Sequence, residues 1–246
     1  PRGDDNAQFG AAASAYAGAE NFKSDNKKSD GTSIWTGYMV TDGGSHKLVW
    51  DPVNYKVYTT YSGGVYSGYV EGYNTLSKAY EAAVSEDRNN CFIVVAAEDG
   101  IAEDDGEAAM SAADKTVTLD LNGKVIKGNG ANPVITLSAG TLNLVDNSAE
   151  QPNYFNVTEN VYTWELYDAS DAEKAKAIPI EFIRSDMKYN KPGELTPAEL
   201  KTGDIIRVTG GCITGGAGAV SVTGGEFTMT AGNIVGNNGG GVNVAS

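Results

Sequence analysis

The sequence predicts an all-β fold, with a right-handed parallel β-helix over its C-terminal half from about Thr116 to Ser246. Three observations predict it: patterns that return every 21 to 23 residues, short segments in which apolar and polar residues alternate, and glycines placed between those segments. Gly218-Ala219-Val220-Ser221-Val222 returns as Gly240-Gly241-Val242-Asn243-Val244, 22 positions on. The stretch from Val208 to Gly215 returns as Met229 to Gly236 after 21, and Thr118-Leu119-Asp120-Leu121 returns as Thr141-Leu142-Asn143-Leu144 after 23. Such a period suits one rung of three short strands. Leu119 and Leu121, Leu142 and Leu144, Val220 and Val222, and Phe227 and Met229 are the inward residues, because successive side chains of a strand leave opposite faces. Glycine supplies the positive φ of a sharp bend. Asn122, Asn233, Asn237 and Asn238 fall at or near the bends, where stacked amides would form a ladder.

Ahead of the rungs the texture changes twice. Residues 1–33 offer little to bury and read as a peripheral segment; Arg2-Gly3-Asp4 within it reads as a chance match to an integrin tripeptide. Residues 34–73 read as a small aromatic-rich β module, with strands at Lys56–Tyr61 and Val65–Val70 joined at Ser62-Gly63-Gly64. A capping helix is expected within 74–87. Asn74 or Thr75 can cap it, and Leu76, Ala79, Tyr80, Ala83 and Val84 recur on one face. The run Phe92-Ile93-Val94-Val95-Ala96 is apolar on both faces, as a strand covered on both sides would be. Helix and strand together fit a plug over the first rung, because an open end is a sticky edge. Rungs are then expected over 91–148 and 204–246, around an inserted flank segment at 149–203. Ser246 falls inside a rung, so the natural protein is expected to continue, or the open end to associate end to end with another copy or a partner.

The segment Val117-Thr118-Leu119-Asp120-Leu121-Asn122-Gly123-Lys124-Val125-Ile126 resembles a rung of pectin-lyase-like β-helix surface proteins of gut-type Gram-positive bacteria. Val134-Ile135-Thr136-Leu137 through Ser148 resembles another, and Gly224-Gly225-Glu226-Phe227 through Asn237 is the nearest match. The helix Thr75 to Val84 also sits where such proteins place a short helix before the first rung. The resemblance runs from about Tyr73 to Ser246 outside the insertion. It implies the right-handed β-helix fold and a secreted or cell-wall-attached, adhesin-like or spacer role. Relatives of that fold also cleave acidic polysaccharides, and fold alone does not choose between the two.

The insertion is long enough to carry structure or function of its own. Strands are expected at Tyr154–Val157, Val161–Leu166 and Ile178–Ile183, with a short helix at Asp171–Ala177. Its aromatic residues Tyr154, Tyr162, Trp164 and Tyr167 are the candidate binding residues, projecting from the flank where this architecture binds ligands. Glu98, Asp99, Glu103, Asp104, Asp105 and Glu107 gather six carboxylates in ten residues. Hard oxygen ligands suit Ca²⁺, and Glu103, Asp104 and Asp105 are its candidate ligands. Their spacing is not that of an EF-hand, and acidic runs are more often solvated loops. No other cofactor is called for.

Acidic residues outnumber basic ones 32 to 18, a net charge of −14. That sign excludes nucleic acid as a natural partner and repels polyuronides unless a divalent cation bridges them. No apolar run approaches the roughly 18 residues of a membrane span. Cys91 and Cys212 lack metal spacing and are expected about three rungs apart, as buried free thiols. For catalysis the rungs offer scattered bases (Lys115, Lys124, Lys127, Arg207) and the carboxylates Asp120, Asp146, Asp204 and Glu226 without an obvious stacked pair. The only histidine, His46, lies outside them. The reading leans away from an enzyme. It favours a non-catalytic extracellular scaffold that displays the insertion to a glycan or a host or cell-surface protein. A polysaccharide lyase or glycoside hydrolase working on the flank is the first alternative, and a self-assembling fibre subunit the second.

Overall fold

The computed structural model describes residues 22–23, 36–42, 45–51, 53–85, 88–103, 107–148, 152–158, 164–180 and 200–245. Most of the peripheral segment 1–33, with its Arg-Gly-Asp tripeptide, lies outside them. The described chain is mostly β. Strands β1 (Phe22–Lys23), β2 (Thr36–Asp42) and β3 (Ser45–Asp51) form an antiparallel sheet of three. Strands β4 (Tyr55–Ser62) and β5 (Val65–Tyr73) form a hairpin turned at Gly63 and Gly64, both at positive φ. Thr75 caps helix α1 (Leu76–Ala83), its hydroxyl accepting from the Lys78 backbone N at 3.4 Å.

From Asn90 the chain winds through three parallel sheets in strict rotation. The first coil is β6 (Asn90–Val95), β7 (Ile101–Glu103) and β8 (Ala108–Met110); the second is β9 (Thr116–Asp120), β10 (Val125–Lys127) and β11 (Pro133–Leu137). After β12 (Thr141–Val145) comes the insertion: β13 (Pro152–Val157), β14 (Trp164–Leu166), helix α2 (Asp171–Lys174), β15 (Ile178–Pro179) and β16 (Ile205–Thr209). The third coil then closes with β17 (Cys212–Thr214) and β18 (Gly218–Val222). The fourth is β19 (Glu226–Met229), β20 (Asn233–Ile234) and β21 (Val242–Val244). The three sheets run β6-β9-β12-β19, β7-β10-β17-β20 and β8-β11-β18-β21.

Each inward position is repeated directly above itself. Cys91, Val117, Leu142 and Phe227 form one ladder, and Ile93, Leu119, Leu144 and Met229 a second. Ala102, Ile126, Ile213 and Ile234 form a third, while Met110, Leu137, Val222 and Val244 form a fourth. Members of the first three coils are almost wholly buried, with Leu119, Ile126, Leu142, Leu144 and Ile213 at 0% exposure. A parallel stack keeps like beside like because a slip of one residue would turn every apolar side chain outward. In the last described coil Met229, Val242 and Val244 are 38%, 41% and 74% exposed.

At the other end the core is closed. Leu76, Ala79, Tyr80 and Ala83 of α1 are buried in the same core, and the Tyr80 hydroxyl accepts from the Ala112 backbone N at 2.9 Å. The hairpin seals the first sheet, since β4 pairs antiparallel with β6. Phe92, on the outer face of β6, lies beneath Tyr61 and Tyr66 with ring centroids 5.9 and 5.8 Å away. This explains the doubly apolar run: Ile93 and Val95 face the coil interior, Phe92 the aromatic hairpin.

Five expectations differ in detail. The hairpin β4–β5 is part of the first coil's sheet and not a separate module, because its tyrosines cover β6. The helix is shorter than 74–87. The register opposes Thr116, not Thr118, to Thr141; the slip is two residues, so the inward face is kept while the bend between the coils is longer. The asparagines form no amide ladder. Asn122 Nδ2 donates to Val95 O at 3.1 Å, Asn233 Nδ2 to Thr209 O at 2.9 Å and Asn237 Nδ2 to Ile213 O at 3.1 Å. A bend leaves backbone carbonyls without a strand partner, and the asparagine amide reaches them first. Both cysteines are free and buried, as expected, but they stand two coils apart, in the first and the third, where about three rungs were expected.

Two outcomes test this packing. Leu142→Ala, between Val117 and Phe227, is expected to cost about 3 kcal/mol in urea unfolding, while Thr118→Ala on the outer face costs less than about 0.5 kcal/mol. The second concerns alkali. Burial, with Glu71 beside it, pushes the Tyr73 phenol from 10 up to about 12, and burial with the Asp120 hydrogen bond pushes Tyr66 further. A raised phenol stabilises the fold fully below pH 10 and loses that contribution as pH climbs through 12. The urea midpoint is therefore expected to hold steady to pH 10 and then fall, less steeply in Tyr66→Phe and Tyr73→Phe.

Candidate functional site

The insertion folds back on the coil as a sheet in the order β14-β13-β16-β15. Its last strand, Ile205–Thr209, pairs antiparallel with β13, so the inserted unit extends past the expected boundary at 203. Phe155, Val157, Ile206 and Val208 are fully buried against Val125 and Cys212, which lie on the outer face of the second sheet. Burial pushes the Cys212 thiol well above its ordinary range, so this cysteine acts as a small apolar side chain.

This sheet separates the candidate aromatics. Trp164 opposes Val157 and Leu166 opposes Phe155, which turns both toward the coil. Tyr154 opposes Arg207 on the other face, where the Lys174 ammonium stands 5.8 Å from its ring centre. Tyr167 donates to Glu173 Oε1 at 3.0 Å. Glu173 also accepts from the Ser170 hydroxyl and backbone N at 2.6 and 2.8 Å, closing a capping box at α2. Those bonds, the Ser170 hydroxyl first, hold the Glu173 carboxyl below its ordinary range; the same Glu173 bond raises the Tyr167 phenol. Tyr154 and Tyr167 thus brace the insertion, Trp164 faces the coil, and Tyr162 lies outside the described residues.

Where Trp164 meets the flank there is a cleft of about 540 Å³. Trp164, Glu165 and Leu166 of β14 form one wall. The floor and the other wall come from four successive coils: Glu103 of the first, Lys127 with Gly128 to Gly130 of the second, Thr214 and Gly215 of the third, Gly236 and Asn238 of the fourth. The cleft exists because a glycine ends the second-sheet strand in three of those coils. Ile126-Lys127-Gly128, Ile213-Thr214-Gly215 and Ile234-Val235-Gly236 are one pattern. Gly215 and Gly236 take positive φ of 72° and 61°. A Cβ on Gly236 would stand 2.5 Å from the Trp164 carbonyl oxygen, so that glycine sets how closely the inserted strand approaches. The composition pointed to the insertion's aromatics. Asn129 and Thr214 were missed, and Lys127 and Asn238 were noted only as a scattered base and a bend residue, although the recurring Ile-x-Gly triplet marks their common place.

Charge in the cleft is sparse. The Lys127 ammonium pairs with Glu103 Oε1 at 3.0 Å, and Glu165 is exposed at the rim. Of the candidate Ca²⁺ ligands, Glu103 makes that pair, while Asp104 and Asp105 lie outside the described residues. Among the described residues no group of three or more histidine, cysteine, aspartate or glutamate side chains gathers to hold a metal.

Two of the rung carboxylates have structural work. Asp120 is fully buried, and its Oδ1 accepts from the backbone N of Asn122 and of Asn147, each at 2.9 Å. Its Oδ2 accepts from the Tyr66 hydroxyl and from Asn147 Nδ2. Asp146 accepts from the backbone N of Gly123 and of Gly211, both at 2.7 Å. Hydrogen bonds to backbone N–H groups hold a buried carboxylate without a cation. Comparison of the chain with protein-family models, curated proteins and solved structures finds no match.

Gly236→Ala forces an L side chain into positive φ and against the Trp164 carbonyl. It is expected to cost about 1–3 kcal/mol and to shift the emission of Trp164 as β14 moves away. Gly130→Ala carries the same positive-φ strain, at 79°, but its Cβ would meet nothing closer than 3.8 Å, so it is expected to lower stability and keep the emission unchanged.

Proposed function

We propose that this chain is a non-catalytic extracellular scaffold of the adhesin type, secreted or attached to a cell wall, that binds a glycan between its inserted sheet and its flank. The rotating sheets are taken as a right-handed parallel β-helix, the hand adopted by about 98% of parallel crossovers. The cleft carries the reading. It is a concave site of the size that small ligands use, roughly 300–1,000 Å³. It joins a tryptophan to amide, hydroxyl and carboxylate groups, the pairing that suits a sugar's apolar face and its hydroxyls. The net charge of −14 disfavours nucleic acid as the partner. Among the described residues no helix is long and apolar enough to cross a membrane.

One observation favours a second reading, a glycoside hydrolase, since Glu103 and Glu165 line the same cleft. Both are exposed, and an exposed carboxylate lacks the apolar surroundings that make a general acid. Asp120 and Asp146 are committed to bend amides.

The test pairs a glycan-binding array with an assay of reducing ends released from neutral and acidic polysaccharides, Ca²⁺ included. Binding without release is expected, weakened about tenfold or more by Trp164→Ala with the melting temperature recorded alongside. Protein-dependent release that stops in Glu103→Gln or Glu165→Gln establishes the hydrolase instead.

A further inference from the structure

We infer that the cleft takes an uncharged linear oligosaccharide laid along the stacking direction of the coils, with about one sugar unit for each step from one coil to the next. The inference rests on the glycan-binding reading above and names the ligand class of that same site.

Direction comes first. The lining residues belong to four successive coils, from Glu103 in the first to Asn238 in the fourth. Parallel strands stack about 4.8 Å apart, so the cleft runs about 14 Å along the stack. Each step is close to the length of one pyranose in an extended chain. The glycine that returns in three of the four bends keeps the floor low along that direction.

Charge comes second. Lys127 pairs with Glu103 at 3.0 Å, and Glu165 is the one further charged residue of the lining, so the lining carries one net negative charge. A uronate would have to displace Glu103 from Lys127 or face Glu165, inside a protein already at −14. Neutral hydroxyls meet acceptors at Glu103 and Glu165 and amides at Asn129 and Asn238 without that repulsion.

A peptide fits less well. The edge strand in this cleft, β14, is only three residues long, and its Trp164 carbonyl lies so close to Gly236 that a Cβ there would stand 2.5 Å from it, which leaves little edge for a peptide strand to join. The apolar lining is limited to Trp164 and Leu166 beside the bend glycines, with no deep socket for an anchoring side chain.

The experiment is calorimetric titration of the full chain, without divalent cations. Gluco-, manno- and xylo-oligosaccharides of one to six units are compared with oligogalacturonates of the same lengths, at low and moderate salt. Affinity for at least one neutral series is expected to rise with each unit to about three and then level off, with oligogalacturonates about tenfold weaker or worse. Glu165→Lys reverses a charge at an exposed position that the fold does not need. It is expected to raise the ratio of oligogalacturonate to neutral affinity about tenfold, the neutral series itself weakening where it loses the Glu165 acceptor; a ratio that stays put overturns the charge argument. Oligogalacturonate binding as tight as neutral binding overturns the charge argument and leaves the cleft as the glycan site. A neutral series that levels off at one unit overturns the axial placement. If no glycan binds, here or on the array, the glycan-binding reading falls and takes this inference with it.

Discussion

The chain leaves its coil after Val145 and rejoins it at Cys212, and one side chain holds both ends of that excursion. Asp146 places one carboxylate oxygen on the Gly123 amide of the coil below and the other on the Gly211 amide of the returning chain. The long excursion itself costs little, because the entropy of closing a loop grows only with the logarithm of its length. Bringing β17 back into register over β10 is the demanding part, and that needs a fixed point. A carboxylate bonded to two amides provides one without a buried cation. Everything that rests on the insertion, including the position of Trp164 beside Gly236, is referred to it.

The flank shows how a cavity can come from what side chains leave out. At the bends that lead into the second sheet, asparagine amides reach back to backbone carbonyls. Along the second sheet the bends keep glycine at one equivalent position through three coils, so that edge of the stack is low. The inserted sheet, pressed on Val125 and Cys212 by Phe155 and Val208, covers the sheet but not its lowered edge. The cleft is the space between the two.

The all-β class was legible because alternation and glycine spacing are local and survive imperfect repetition. Helix α1 was legible as well, in its threonine cap and in the face carrying Leu76, Ala79, Tyr80 and Ala83. The register was only half legible. Pairing Thr118 with Thr141 keeps the correct face, but the two-residue excess sits in a bend whose length no alternating pattern records. The aromatics of the insertion were read as one group because a sequence does not say which way a strand will be turned. The antiparallel pairing of β13 and β14 sends Trp164 to the coil and leaves Tyr154 on the far side. The hairpin tyrosines looked like a module of their own since the strand they cover, β6, comes a helix later in the chain.

Helix α1 packs its apolar face into the core beside the first coil, so that coil has a neighbour on both sides. In an array whose units are stabilised by their immediate neighbours, a unit touched on one side opens more readily than one held on both. The helix thus stands in for a coil, and the amides of the first coil exchange as slowly as those of the second, which lies between two coils.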